Sequence, residues 1–303
     1  MATNVVGGLS VDGSPVLPFT TGNVFYVKAS GGSDGNDGRS TARAFATLDY
    51  AIGRTTANQG DVIIMLPGAH SYAASVLADV AGIKITGLPG GNFVRPRASI
   101  VTTADDEVIN VTAADVEIAY LRIIPVTTKA GIDFTAGADR LYVHDCSFDL
   151  ATAAADTGTK GVATTTNTIA ADHTWIEHNY FECDGAQGSG VDVGAGIEFV
   201  VEKNTFVCRA AGAWNHAVSC AGPGGFGTIR DNDFQVYQGG SMTIGIRGSD
   251  MTSVGSVGVY RNMFAFGVTV PIDDFAAGEA FISENYKANS GAASGGVLWS
   301  SIT

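Results

Sequence analysis

Short apolar segments recur along the second half of the chain with one internal pattern. An apolar residue is followed by two variable residues, an asparagine, one variable residue and a phenylalanine, as in the segment from Ile176 to Phe181. Further copies begin at Val201, Ile229, Val259 and, in truncated form, Ile282. Alternating apolar positions over so few residues predict β-strands, because an amphipathic helix would need about ten or more residues of its own periodicity.

The spacing between the copies predicts how these strands are arranged. Successive asparagines of the pattern are 25, 28, 30 and 23 residues apart, and an earlier copy from Val143 to Phe148 carries Cys146 in the asparagine slot. A period in the twenties is typical of a solenoid, in which each coil lies on the previous one. The varying period indicates loops of different length between constant strands.

Stacked coils would bring equivalent residues within one strand spacing of each other, about 4.7–4.9 Å. We expect each asparagine to occupy a left-handed corner and its amide to bond to neighbouring backbone and to the next amide. We expect each phenylalanine to point inward onto the ring of the next coil, with about 2–3 kcal/mol from each burial. The predicted ladder and stack consist of Asn179, Asn204, Asn232, Asn262, Asn285, Phe148, Phe181, Phe206, Phe234 and Phe264.

This repeat resembles the right-handed single-stranded parallel β-helix (pectin-lyase-like) family, which includes polysaccharide lyases, phage tailspikes and other phage virion proteins. The resemblance covers about residues 60–289. It implies an all-β fold, a right-handed parallel β-helix solenoid with a short N-terminal capping helix and an extended N-terminal arm.

The same resemblance implies a division of the chain. We expect an arm at 1–23, the β-helix at 24–289 and a C-terminal tail at 290–303. A capping segment at 24–58 would hold a first strand from Val24 to Val27 and a helix from Phe45 to Ile52. Such a cap covers the open edge of the first coil, which would otherwise invite aggregation.

Composition and charge narrow the range of partners. Hydrophobic residues make up 45% of the chain, and the 40 glycines suit a fold with many tight corners. A net charge of −13 argues against nucleic acid and against anionic membranes, since both require clustered basic residues. No secretory signal or apolar run of membrane-spanning length is visible. The four cysteines lack zinc-site spacing, so neither a metal nor another cofactor is expected.

Outward positions of the repeat predict two columns of charged residues. One reads His144, Glu177, Glu202, Arg230; the next reads Asp145, His178, Lys203, Asp231, Arg261, Glu284. Glu177 and Glu202 would lie one strand apart, close to the carboxyl separation of about 5–5.5 Å in retaining glycosidases. Mutually compensating charges on a surface face are the interpretation that we favour over catalysis.

Other candidates have simpler interpretations. The loop from Asp34 to Gly38 lacks EF-hand spacing and is read as a turn, and the glycines at 222–225 are read as a corner. Cys183 and Cys208 should lie on adjacent coils, close enough for a disulfide if the strand geometry permits one. Two buried reduced thiols are the favoured interpretation. Packing or subunit contact is favoured over sugar binding for Trp175, Trp214 and Trp299. No catalytic set could be assembled from the loop residues, which are Asp172, His173, Asp184, Asp192, Asp273 and Asp274.

The absence of a signal and of a recognisable catalytic set leads to a first expectation for function. It is a non-enzymatic phage virion structural protein, a capsid decoration (cement) protein or head fibre, assembled in the host cytoplasm. Residues 1–23 would anchor it to other virion proteins, those of the capsid, and the β-helix faces would form a homotrimer. The alternatives are a tailspike-like polysaccharide lyase or glycoside hydrolase and a β-helix that binds a glycan without cleaving it.

Overall fold

The computed structural model describes most of the chain. The described residues are 9–11, 14–16, 20–89, 98–125, 129–150, 159–164, 171–183, 189–209, 213–220, 225–237, 240–248, 256–265, 267–273, 275, 279–288 and 296–297. Most of the predicted arm and tail therefore lies outside the described residues. What is described of the arm is an antiparallel pair of strands, Leu9–Val11 and Ser14–Val16, together with residues 20–23.

Three long sheets run side by side along the molecule, and each complete coil contributes one strand to each of them. The first sheet contains Val24–Val27, Val62–Met65, Lys84–Gly87, Glu117–Ala119, Tyr142–His144, Trp175–Glu177, Phe199–Glu202, Phe226–Arg230, Ser256–Tyr260 and Glu279–Ser283. The second contains Gly68–Tyr72, Ala98–Thr102, Leu121–Ile124, Ser147–Asp149, Tyr180–Cys183, Thr205–Cys208, Asp233–Val236, Met263–Phe264, Tyr286–Lys287 and Gly296–Val297. The third contains Val76–Ala78, Ile109–Val111, Ala130–Phe134, Lys160–Thr164, Ser189–Asp192, Ala213–Ser219, Ser241–Arg247 and Val268–Ile272.

Neighbouring strands in these sheets are parallel, with one exception at the C-terminal end. There Gly296–Val297 turns back and pairs antiparallel with Tyr286–Lys287. The predicted all-β parallel solenoid is confirmed. Its core is the interior between the three sheets, filled by aliphatic and aromatic side chains from all three of them.

The asparagines form a buried hydrogen-bonded ladder between the first and second sheets. Along the ladder each Nδ2 donates to the Oδ1 of the next asparagine at 3.0–3.1 Å, and the same Oδ1 also accepts from a backbone N–H of the previous coil. Cys146 ends the ladder, because its backbone N–H donates to Asn179 Oδ1 at 2.9 Å. The amides thus satisfy buried backbone groups at every corner.

The expectation that the asparagines occupy the left-handed corners is wrong. The left-handed residue is the one before each ladder position, with φ between 53° and 56° at Asp145, His178, Lys203, Asp231, Arg261 and Glu284. The turn at that residue directs the following asparagine side chain into the interior, where its amide meets the carbonyl groups of the adjacent coil.

The phenylalanines form a stack in the second sheet, directly behind the ladder. Ring centroids of successive phenylalanines from Phe148 to Phe264 are 4.6–5.0 Å apart, and their planes are within 11° of parallel. Glycines of the third sheet face these rings. A Cβ at Gly161 or Gly190 would lie 2.5–2.6 Å from a ring carbon, so the stack excludes a side chain there.

A short helix covers the first coil. It spans Leu48–Ile52 and buries Leu48, Ala51 and Ile52, so the predicted start at Phe45 is too early. Phe45 instead forms a bridge with Val27, and a separate 3-10 turn spans Thr41–Arg43. No described helix is long and apolar enough to cross a membrane.

Candidate functional site

A column of residues in register lies on the outer face of the first sheet, and its first members are aromatic. In register from strand to strand, this aromatic column consists of Tyr142, Trp175, Val200, Thr228, Gly258 and Phe281. The Trp175 side chain is 42% exposed and the Phe281 side chain 67% exposed. Exposed rings at the same register position on the strands of one sheet give an apolar surface beside polar neighbours.

A charged column runs beside it, two residues further along each strand. The register aligns His144, Glu177, Glu202 and Arg230, so the two carboxylates do lie on adjacent strands. The expected compensation of charge is present, but the column is not an exposed face, because only 3% of the Glu202 side chain and 13% of the Glu177 side chain is exposed. The carboxylates are packed among their neighbours on the sheet.

Glu177 is surrounded by donors. The hydroxyl of Tyr142 donates to Glu177 Oε1, while Oε2 lies 3.4 Å from His178 Nδ1 and 3.7 Å from Lys203 Nζ. Burial alone would raise the pKa of Glu177, but the hydrogen bond from Tyr142 and the nearby cations outweigh burial and hold the pKa below its usual value. Glu177 is therefore ionised at neutral pH.

Glu202 is held by two cations. Its Oε2 lies 2.6 Å from Arg230 Nη2, and its Oε1 lies 3.2 Å from Lys203 Nζ. Lys203 therefore bridges the two carboxylates, since the same ammonium faces Glu177. The attraction of these two cations opposes the cost of removing Glu202 from water, while Glu202 Oε2 and Arg230 Nε are buried without a hydrogen-bond partner among the described residues.

His144 connects the charged column to the earlier coils. Its Nε2 lies 2.8 Å from Glu117 Oε1 and its Nδ1 lies 2.8 Å from Asp145 Oδ2. Burial would lower the pKa of His144, but these two carboxylates outweigh burial and raise it. Its ring also stacks on Tyr142, with centroids 4.3 Å apart. The arrangement places an imidazole with a raised pKa on the strand next to Glu177, whose pKa is lowered.

A cavity lies at the N-terminal end of the same face. Its volume is about 310 Å³, and its wall includes Thr20, Asp61, Lys84 and Glu117. Lys84 and Glu117 continue the register of the aromatic column toward the cap, and Lys84 Nζ donates to Glu117. The candidate site therefore extends from this cavity past Tyr142 and Trp175 toward Phe281.

Comparisons with known proteins agree with this architecture. No protein-family model matches the chain, and no curated protein matches it. Among solved structures, pectin methylesterase PemA from Erwinia chrysanthemi is similar over 91% of this chain and 92% of its own, with 12% identity and a TM-score of 0.54. The chain is a right-handed parallel β-helix. Its fold is of the pectin-lyase-like type.

Two further solved structures share the β-helix. The Aspergillus niger pectin methylesterase is 13% identical, with 92% of this chain and 90% of that chain covered and a TM-score of 0.53. An alginate lyase of the PL6 family, AlyGC, is 13% identical, with a TM-score of 0.58; the match covers 92% of this chain and 41% of the lyase. The β-helix of this protein thus corresponds to less than half of that larger enzyme.

The expectation of a non-enzymatic phage virion structural protein is wrong on this comparison. Solved structures that share the β-helix over 91–92% of this chain include enzymes named for pectin and alginate. The homotrimer stays a prediction.

Several other candidates from the sequence have structural roles in the β-helix. Asp34 accepts from the Ala46 and Thr47 backbone N–H groups at 2.9 and 3.0 Å, and so fixes the entry to the helix. His173 pairs with Glu198, while Trp214 is buried in the core. In the part of the chain that the structure describes, no three metal-ligating side chains are grouped to hold an ion. Outside the described residues lie Asp184, Gly222, Pro223, Gly224, Asp274 and Trp299.

The cysteine pair is in register on adjacent strands, as Cys183 and Cys208. Both are buried thiols. Sequence reasoning missed Tyr142, the residue that joins both columns through Glu177 and His144. Its signal was its place two residues before His144, since alternate residues of a strand share a face.

Proposed function

We propose that the protein is carbohydrate-active and binds a polysaccharide lengthwise along the outer face of the first sheet. The observation that carries the proposal is the exposed ring of Trp175, which is the strand partner of Tyr142 and lies two residues before Glu177 on the same strand. Sugar rings present C–H faces that pack on aromatic rings and hydroxyl groups that bond to charged side chains. His178 and Lys203, whose side chains are half-exposed beside Glu177, can supply the second kind of contact.

The length of the site favours an extended chain over a single sugar. From Trp175 to Phe281 the aromatic column crosses four strand spacings, or roughly 19 Å. The cavity beside Lys84 and Glu117 lengthens the face in the other direction. The similarity to enzymes named for pectin and alginate supports a polymeric ligand.

Affinity electrophoresis in gels that contain pectin, alginate or a neutral β-glucan tests this proposal. The wild-type protein should migrate more slowly in at least one of these gels than in a gel without polysaccharide. Free oligosaccharide from the same polymer should restore its mobility. Unchanged mobility in every gel, with a reference carbohydrate-binding protein retarded, would count against a carbohydrate function.

Cleavage is the second candidate, favoured by the adjacency of Glu177 and Glu202. Glu177, ionised through its lowered pKa, fits a nucleophile at an anomeric carbon. His144, with its raised pKa, is the neighbour that can hold a proton for the leaving oxygen. Arg230 and Lys203 hold Glu202 in place next to the reacting carboxylate.

Product analysis separates binding from cleavage. Hydrolysis would release reducing ends without unsaturated products, and Glu177→Gln should lower the rate by about 10²-fold or more while binding persists. Glu182→Gln is the matched control, because Glu182 is paired with Arg209 on the second sheet, away from both columns. Binding with no released product assigns the protein to the carbohydrate-binding class, and equal rates in both variants would remove Glu177 from the chemistry.

A further inference from the structure

A serine and a histidine are in contact on the third sheet, apart from the columns of the first sheet. Ser189 Oγ lies 3.0 Å from His216 Nε2, and the two residues are partners on adjacent strands. Both are buried, with 5% and 9% of their surfaces exposed. In the tautomer with its proton on Nδ1, His216 accepts from the serine hydroxyl, which is the contact that activates a serine nucleophile.

A lysine completes a row across three strands. Lys160 is the partner of Ser189 on the side opposite His216, so cation, hydroxyl and imidazole follow one another at a strand spacing of about 4.8 Å. The ammonium is held by Asp192, with Lys160 Nζ 3.1 Å from Asp192 Oδ2. Asp192 lies on the same strand as the serine and also accepts from the Gly194 backbone N–H at 3.2 Å. A fixed cation beside a nucleophile stabilises the oxyanion that forms during acyl transfer.

The geometry points to a second active site, at which Ser189 hydrolyses small carboxylic esters. Ser189 Oγ bonds to the carbonyl carbon, and the bond from that carbon to the alcohol oxygen breaks. The hydroxyl proton passes to His216 Nε2 and from there to the departing alcohol. Water then attacks the acyl-serine ester in the same way, which releases the carboxylic acid and restores the serine hydroxyl. Because only 5% of Ser189 is exposed, the acyl group has to be small, and acetyl esters are the substrate class.

Incubation with p-nitrophenyl acetate, followed by peptide mass spectrometry, tests the assignment. Wild-type protein should release p-nitrophenol and carry one acetyl group on the peptide with Ser189. Ser189→Ala should abolish both signals, and His216→Gln should slow acetylation by about 10²- to 10⁴-fold. Ser219→Ala, which alters another buried serine of the third sheet, should keep the wild-type rate. The assay contains no polysaccharide, so this site and the carbohydrate site can fail separately.

Equal acetylation rates in wild type and Ser189→Ala would overturn the proposal, as would folded wild type without label on Ser189. Should circular dichroism show that Ser189→Ala does not fold, Ser189→Cys decides the question because it keeps a nucleophile of similar size. Acetylation of that cysteine supports the site. A folded Ser189→Cys protein that takes no acetyl group rejects it.

Discussion

Asn204 donates its side-chain N–H to Oδ1 of Asn232 on the next coil at 3.1 Å, and the same oxygen accepts the backbone N–H of Asn204 at 3.0 Å. The pair repeats along the solenoid, so one amide serves two coils. Each corner of the first and second sheets therefore depends on the coil that follows it. This coupling fixes the register that aligns the outward columns.

Replacing one rung tests that coupling. Asn232→Ala removes the acceptor of both Asn204 bonds and the donor to the Val201 and Asn262 oxygens. Buried groups left without partners cost about 1–3 kcal/mol each, so we expect a loss of roughly 3–5 kcal/mol in the free energy of unfolding, measured with urea. Asn215→Ala, at an exposed position of the third sheet, should change it by about 0.5 kcal/mol or less. Similar losses in both variants would contradict the ladder's role.

The contact between the glycines and the phenylalanine stack gives a second prediction. A methyl group at Gly190 would lie 2.5 Å from Phe206 Cε1 and 2.6 Å from the Ala217 carbonyl oxygen. Neither a stacked ring nor a paired strand can yield freely, so Gly190→Ala should lower the free energy of unfolding by about 2–3 kcal/mol. At exposed Gly35 the nearest atom would be Ser33 Oγ at 3.5 Å, and Gly35→Ala should be nearly neutral. A Gly190→Ala protein as stable as the wild type would show that the ring has room to move.

The pKa of His144 predicts a pH dependence of stability. Burial lowers this pKa, but Asp145 and Glu117 raise it further than burial lowers it. A group whose pKa is raised by folding contributes fully below its unfolded pKa, about 6.5, and loses that contribution as pH rises through the folded value. The free energy of unfolding should therefore fall from about pH 6.5 upward, and the fall should be smaller in His144→Asn. Asn215→Ala, at an exposed position of the third sheet, should leave the fall unchanged. An unchanged slope in His144→Asn would contradict the shift.

Much of this fold could be read from the sequence, because the repeat carries its own register. Phe181 and Phe206 are 25 residues apart, as are Asn179 and Asn204, so the same repeat length predicts both the phenylalanine stack and the asparagine ladder. The left-handed residue could not be read this way, since six side chains of different chemistry, such as Lys203 and Asp231, occupy it. Its conformation is imposed by the corner.

The candidate sites were less predictable for a physical reason. The adjacency of Glu177 and Glu202 followed from the repeat, but the burial of Glu202 depends on Arg230 and Lys203 packing over it. Ser189 and His216 lie in the third sheet, beyond loops of variable length, where the repeat carries no register. A repeat in the sequence predicts the register of residues only within the part of each coil that has a constant length.

Polysaccharide affinity of a Trp175→Ala variant, compared with Met263→Ala, tests the account most directly. Both side chains are exposed, but Met263 lies on the second sheet. With the polysaccharide that most retards the wild type, removal of the indole should weaken binding at least about tenfold, which corresponds to about 1.4 kcal/mol. Met263→Ala should bind as the wild type does. Wild-type affinity in Trp175→Ala, or equal losses in the two variants, would contradict a carbohydrate site on the first sheet.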